Sequence, residues 1–314
     1  MLRLFALVLA GSACSVALQA AEAQEGALQP DIVVTGVRPE QVQTFVTQIS
    51  AAPPSVQQIA RWDDDICLSV AGASEEHAQF LVDRISYRAE AVGLRPGGQG
   101  CHPNVFVFLA ADADSFTRRL VDERKSLFAY YHEEHIVTMG HAALADFVDH
   151  PRTVRWWHVI QTRGADGDRL GSDQAGNASP PPPRNVDMVT PPDADAITGA
   201  QAVRSYGTRL RAAERQDFNR VIVIVDGQRA AGYTLESLAD YIAMVTLAQI
   251  DPNARTDAYP TILNLFAEQP ETAPDAMTQW DLAYLDGLYR TTRNAASVTQ
   301  QVRDISRRMV GGED

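Results

Sequence analysis

Residues 66–110, ICLSVAGASEEHAQFLVDRISYRAEAVGLRPGGQGCHPNVFVFLA, decide the fold class. Ile66 to Val70 reads as a strand, and Ser74 stands where a helix cap belongs. Glu75 and Glu76 fall in the first turn, at the positive end of the helix dipole. Ala78, Leu81, Val82, Ile85, Ala89 and Val92 recur at helical spacing until Gly93 stops the run. The stretch Val105-Phe106-Val107-Phe108-Leu109-Ala110 is apolar throughout, as a strand covered on both faces requires. Strand, helix and strand in this order predict a βαβ unit with parallel strands and a right-handed crossover.

Upstream, Pro39 to Ala51 reads as a helix ended by Pro53-Pro54. Before it, Asp31-Ile32-Val33-Val34-Thr35-Gly36 resembles the TonB box of outer-membrane receptors, but the chain is too short for such a receptor's barrel and plug. The segment is therefore read as a strand or extended arm, with TonB contact the alternative. Downstream, a helix from about Ala113 leads into Phe128 to His150, and Val154 to Thr162 is strand-like. From Gly164 to Gly199 the composition turns to Gly, Asp, Ser and Pro, including Pro180 to Pro183, which marks a linker or an insertion. A strand is expected near Ser205 to Arg211 and a stronger one at Val221-Ile222-Val223-Ile224-Val225, closed by Asp226-Gly227. Thr234 caps a helix to about Gln249, Thr278 caps another carrying Leu282, Leu285 and Tyr289, and Ser297 to Met309 forms a last amphipathic helix. The expected fold is α+β, a mixed, partly parallel sheet with packed helices. Its divisions are a leader at 1–23, an arm and helix at 24–60, and one α/β domain at 61–314 with a Pro/Gly-rich insertion at about 164–199.

The leader rests on Arg3 followed by Leu4-Phe5-Ala6-Leu7-Val8-Leu9-Ala10, an apolar core too short to anchor in a bilayer. Ala21-Glu22-Ala23 offers small residues where a signal peptidase reads, so cleavage is expected after Ala23. The lipoprotein alternative at Cys14 has Gly11 where Leu belongs. A periplasmic or secreted location follows. The two remaining cysteines, Cys67 and Cys101, then read as one disulfide. The net charge of −13 disfavours nucleic acid and anionic membranes as partners. No apolar run of transmembrane length follows the leader, so no membrane anchor is expected.

Catalytic motifs are absent from the sequence. There is no Gly-x-Ser-x-Gly elbow, the only lysine, Lys125, lacks a Ser three residues before it, and neither a Walker loop nor GxGxxG occurs. Gly97-Gly98-Gln99-Gly100 lies between helix and strand, the wrong way round for a phosphate cradle. Tyr130-Tyr131-His132-Glu133-Glu134-His135 with His141 is the metal candidate, because on a helix His132 and His135 would share a face. Its spacing matches no standard zinc site, and no cofactor is expected. Asp63-Asp64-Asp65 lacks calcium-loop spacing and reads as a solvated run. Trp62, Trp156, Trp157 and the Tyr130-Tyr131 pair are candidates for lining a groove, against a bland role in the core.

The order of elements, from Trp62 through a helix ending in Gly93-Leu94 and an Asn104-led strand to a closing helix ending in Leu288-Tyr289, resembles exported metzincin-type zinc peptidases. Segments such as Val223-Ile224-Val225-Asp226, Tyr233-Thr234-Leu235, Leu238-Ala239-Asp240-Tyr241 and Trp280-Asp281-Leu282 resemble uncharacterised exported alphaproteobacterial proteins. The resemblance runs from about Arg61 onward and implies a zincin-like topology. Where a metzincin carries HExxHxxGxxH, this chain has Ala239-Asp240-Tyr241-Ile242-Ala243, and no His follows His158, so the zinc motif is lost. The functional expectation is a non-catalytic peptidase-like scaffold binding an envelope protein or peptide. The alternative is a periplasmic hydrolase built on Asp240 and Tyr241, in a cleft beside the Leu235 to Ile250 helix, or on the His132–His141 cluster.

Overall fold

The computed structural model describes residues 36, 38–98, 100–131, 133–170, 208, 210–267 and 273–311. The described residues belong to one compact unit. It has an α+β fold with seven α-helices and five strands among the described residues.

The βαβ unit forms as its sequence dictates. Strand β1 (Leu68–Ala71) leads to a helix (Glu75–Ala91), and β2 (Val105–Ala110) pairs parallel to β1, Leu68 opposite Val105. Ser74 accepts the amide of His77, and Gly93 leaves the helix at φ 82°, the left-handed end that glycine permits. Gly72 is required between the strands. Its φ is 86°, and a Cβ there would lie 2.0 Å from the Leu109 carbonyl oxygen, which no side chain tolerates.

The sheet grows from this unit in the order β1-β2-β5-β4-β3. β5 (Glu214–Asp226) is parallel to β2, β4 (Val154–Gly164) is antiparallel to β5, and β3 (Ile136–Val137) is antiparallel to β4. Val221, Val223 and Val225 of β5 enter one core while Ile222 and Ile224 enter the other, the period of two expected of a strand covered on both sides. We number the helices α1 (Pro39–Ile49), α2 (Glu75–Ala91), α3 (Ala113–Glu123), α4 (His141–Asp149), α5 (Leu235–Leu247), α6 (Gln279–Arg290) and α7 (Val298–Met309). The larger core takes residues from α1, α2, α5, α6 and α7, and the smaller one from α3 and α4.

Three features differ from the sequence expectation. The helix placed ahead of the domain is part of its core: Val42, Phe45, Val46 and Ile49 of α1 are all fully buried. Strand β5 begins seven residues before the apolar run, at Glu214, because its polar half is satisfied by partners. Arg215 pairs with Asp63 and Asp217, and Gln216 accepts from Thr162. The Asp63 to Asp65 run is correspondingly not simply solvated, since Asp63 also meets Arg293, Asp64 meets Arg163 and Asp65 meets Arg95. The segment read as a leader, residues 31–35 of the TonB-box-like segment and most of the 164–199 insertion lie outside the described residues.

Candidate functional site

Asp240 and Tyr241, neighbours on α5, point into different surroundings. The Asp240 carboxylate is fully buried and faces α2, where it accepts from Arg84 at 2.7 and 3.0 Å and from Arg88 at 2.6 and 2.9 Å. The Met277 amide donates to it as well, at 2.7 Å. Burial would raise its pKa, but the Arg88 and Arg84 forks and the Met277 amide outweigh that and hold it at about 2. Tyr241 packs against Trp156 and Phe266, with ring centroids at 6.1 and 4.8 Å, and burial pushes its phenol upward. Neither residue is among those that line the cavities beside β4, between α3 and α4, at residues 257–278 or along α1. The two residues singled out together in the sequence hold different places: the acid is a structural clamp between α5 and α2, and the phenol a core ring.

The histidine cluster is not helical. Residues 133–135 form a turn before β3, with His135 at φ 63°, so the shared helical face does not exist; His132 lies outside the described residues. His135 sits 3.7 Å from Glu134. His141, at the start of α4, stacks on Tyr130 at 4.6 Å and binds the Tyr130 carbonyl. Among the described residues no group of three metal-binding side chains converges.

Cys67 and Cys101 are disulfide-bonded, with Cα atoms 6.0 Å apart. The bridge ties the entry of β1 to the loop before β2, and the Cys67 amide is fixed by the Asn104 side chain. No helix among the described residues is long and apolar enough to cross a membrane.

A different region gathers the features of a site. The Asp226 amide donates to the Thr153 carbonyl at 2.8 Å. In the antiparallel register of β4 and β5, this turns the backbone groups of Arg155 and Trp157 toward β5 and those of Trp156 and His158 to the opposite edge. β3 pairs only with Ile160 and Gln161. The edge of β4 at Trp156 to His158 therefore has no ladder partner among the described residues. Against it lies a cavity of about 130 Å³, walled by Trp156, Trp157, Phe147 of α4 and the Gln249 to Asn253 turn after α5. Arg152 closes one side by binding Asp146 at 2.8 Å and Asn253 at 2.9 Å.

No family model, no curated protein and no solved structure matches this chain.

Besides Arg152, the cavity lining carries the carboxylates Asp146 and Asp251, and three further polar side chains are held from within the fold. His158 donates through Nε2 to the Val245 carbonyl at 2.8 Å, and burial lowers its pKa to about 4, so it is neutral near pH 7. Arg155 is anchored to the end of α4 through the carbonyls of Phe147 and Val148 and to Asp114. Gln249 accepts the Ala60 amide at 2.7 Å. Of the aromatic residues singled out in the sequence, Trp156 and Trp157 line this cavity. Trp62 is a core residue bound to the Thr246 carbonyl. The remaining lining could not be found from spacing, because α4, β4 and the turn at 249–253 meet only in three dimensions.

Proposed function

We propose that this chain is an exported, non-catalytic, peptidase-like scaffold that binds an extended peptide segment of an envelope protein along the free edge of β4. The observation that carries the reading is that edge. The register turns the backbone groups of Trp156 and His158 away from β5 to an edge without a ladder partner among the described residues, both residues line the adjoining cavity, and an added strand satisfies such groups by continuing the ladder. Export is supported by the apolar leader, the small residues at Ala21 and Ala23 and the Cys67–Cys101 bridge. A binding role is favoured over hydrolysis because the acid on α5, Asp240, is committed to two guanidiniums and a backbone amide.

The test is titration of the mature chain with a library of short peptides, followed by amide hydrogen exchange of the best binder's complex. Protection should rise at Trp156 and His158, and the peptide should be recovered intact. Binding that leaves β4 unprotected, or rapid cleavage of the peptide, would reject the reading.

A further inference from the structure

The lining of the β4 cavity carries one carboxylate whose charge no cation answers among the described residues. Asp146, Arg152, Arg155 and Asp251 all line it. Arg152 pairs with Asp146 at 2.8 Å, and Arg155 is taken by Asp114. Asp251, half-buried in the turn after α5, accepts the Asn253 amide through Oδ1 at 2.9 Å and enters no ion pair. The cavity therefore presents two neutralised pairs and one surplus negative charge, in a chain whose net charge is −13. Both the local and the overall field favour a cationic visitor.

Trp156 sets where that charge stands relative to the free edge. Its indole reaches from β4 to the turn, where Nε1 donates to the carbonyl of Ile250, the residue before Asp251, at 3.0 Å. In a strand added along β4, the residue opposite Trp156 projects on the same face, beside the indole. A lysine stem in that position is comparable in length to the indole it follows, so its ammonium arrives at the turn that carries Asp251. Trp156, Trp157 and Phe147 are buried walls of the cavity, which suits methylenes, while the charged head needs a carboxylate and water. At about 130 Å³ the space approaches that of the roughly 150 Å³ apolar cavity known to hold a benzene-sized group, enough for one aliphatic stem.

We propose that the segment taken up on the β4 edge is basic, and that the cavity holds one of its lysine or arginine side chains, with the stem along Trp156 and the cationic head at the Asp251 carboxylate. This rests on the peptide reading and names its specificity: the ladder supplies affinity for any extended chain, and the pocket selects the side chain.

The experiment is calorimetric titration of the mature chain with acetyl-Ala-Val-Lys-Val-Ala-amide, with the same peptide carrying norleucine or glutamate in place of lysine, and with butylammonium. The lysine peptide should bind about fivefold tighter than the norleucine peptide, the scale of a partly exposed ion pair, and the glutamate peptide weakest. Asp251→Asn keeps an acceptor for the Asn253 amide and removes the charge, so it should bring the lysine peptide down to the affinity of the norleucine peptide. Asp251→Ser, whose hydroxyl can also accept that amide, is the second variant should the first lose the native circular dichroism spectrum. Equal affinity of the lysine and norleucine peptides, tightest binding of the glutamate peptide, or a lysine preference that survives Asp251→Asn would overturn the assignment and leave the peptide reading standing. Butylammonium binding that Asp251→Asn abolishes, with no peptide bound, would uphold the cation pocket and reject the peptide reading. Binding of none of the four would reject both.

Discussion

Asp240 shows how a polar residue inside an apolar helix can be misread from its type. In the sequence it stands where a ligand or base would be sought; in the fold its carboxylate joins Arg84 and Arg88 of α2 to α5. Removing one member of a buried ion pair leaves the others uncompensated, which typically costs about 3–5 kcal/mol. Asp240→Asn should therefore lower the urea unfolding free energy by roughly that amount and leave peptide affinity unchanged; a loss well below it would mean the clamp is not structural. Because its folded pKa is depressed to about 2, the stability it contributes is present above the ordinary carboxylate range and lost as the pH falls toward 2. His158 acts over a higher window. Its folded pKa of about 4 lies below the ordinary 6.5, so between those values the unfolded chain binds a proton that the folded chain refuses. Stability should be full above pH 6.5 and decline by up to about 3 kcal/mol on acidification to pH 4. His158→Gln should flatten that part of the profile, measured as the difference between the two unfolding curves across pH.

At the scale of elements, α1 is the clearest case in which a helix was legible and its docking was not. The Pro39 start and the spacing of Val42, Phe45, Val46 and Ile49 mark an amphipathic helix in any context. Only the fold shows Phe45 within 5.2 Å of the Tyr259 ring and 5.1 Å of Trp280, with Tyr284 close by. Phe45→Ala should destabilise the whole unit by about 3–5 kcal/mol, seen as one shifted denaturation transition. A separate early transition of α1 alone would show the helix to be an appendage. The opposite error occurs in β5. Its first half is too polar to announce a strand, since beside Asp217 on the strand itself the partners Asp63 and Thr162 come from distant points of the chain.

For the whole molecule, the compact unit from residue 31 onward follows the order of strands and helices that the sequence lays out. The export reading makes a prediction at this scale. Expressed from its own start codon in a Gram-negative host, the chain should be recovered from the periplasm with Gln24 at its N-terminus and no free thiols. Intact mass spectrometry with and without reduction measures both. A cytoplasmic, uncleaved product would remove the main support for an envelope partner.

The sequence by itself determined the elements that depend on neighbours along the chain. The βαβ unit with its parallel strand pair, the caps at Ser74, Thr234 and Thr278 and the apolar strand Val221 to Val225 all follow from local periodicity and capping chemistry. The pairing of Cys67 with Cys101 was legible for a different reason, since Cys14, the remaining cysteine, falls in the segment read as a leader. Tertiary structure alone decided the rest. It placed Asp240 in a clamp and Tyr241 in the core, made the imagined histidine face a turn at 133–135, and left part of β4 without a strand partner among the described residues. Burial and hydrogen-bond satisfaction depend on groups far apart in sequence. The cavity beside β4 therefore exists as a feature only once β4, α4 and the turn after α5 have come together.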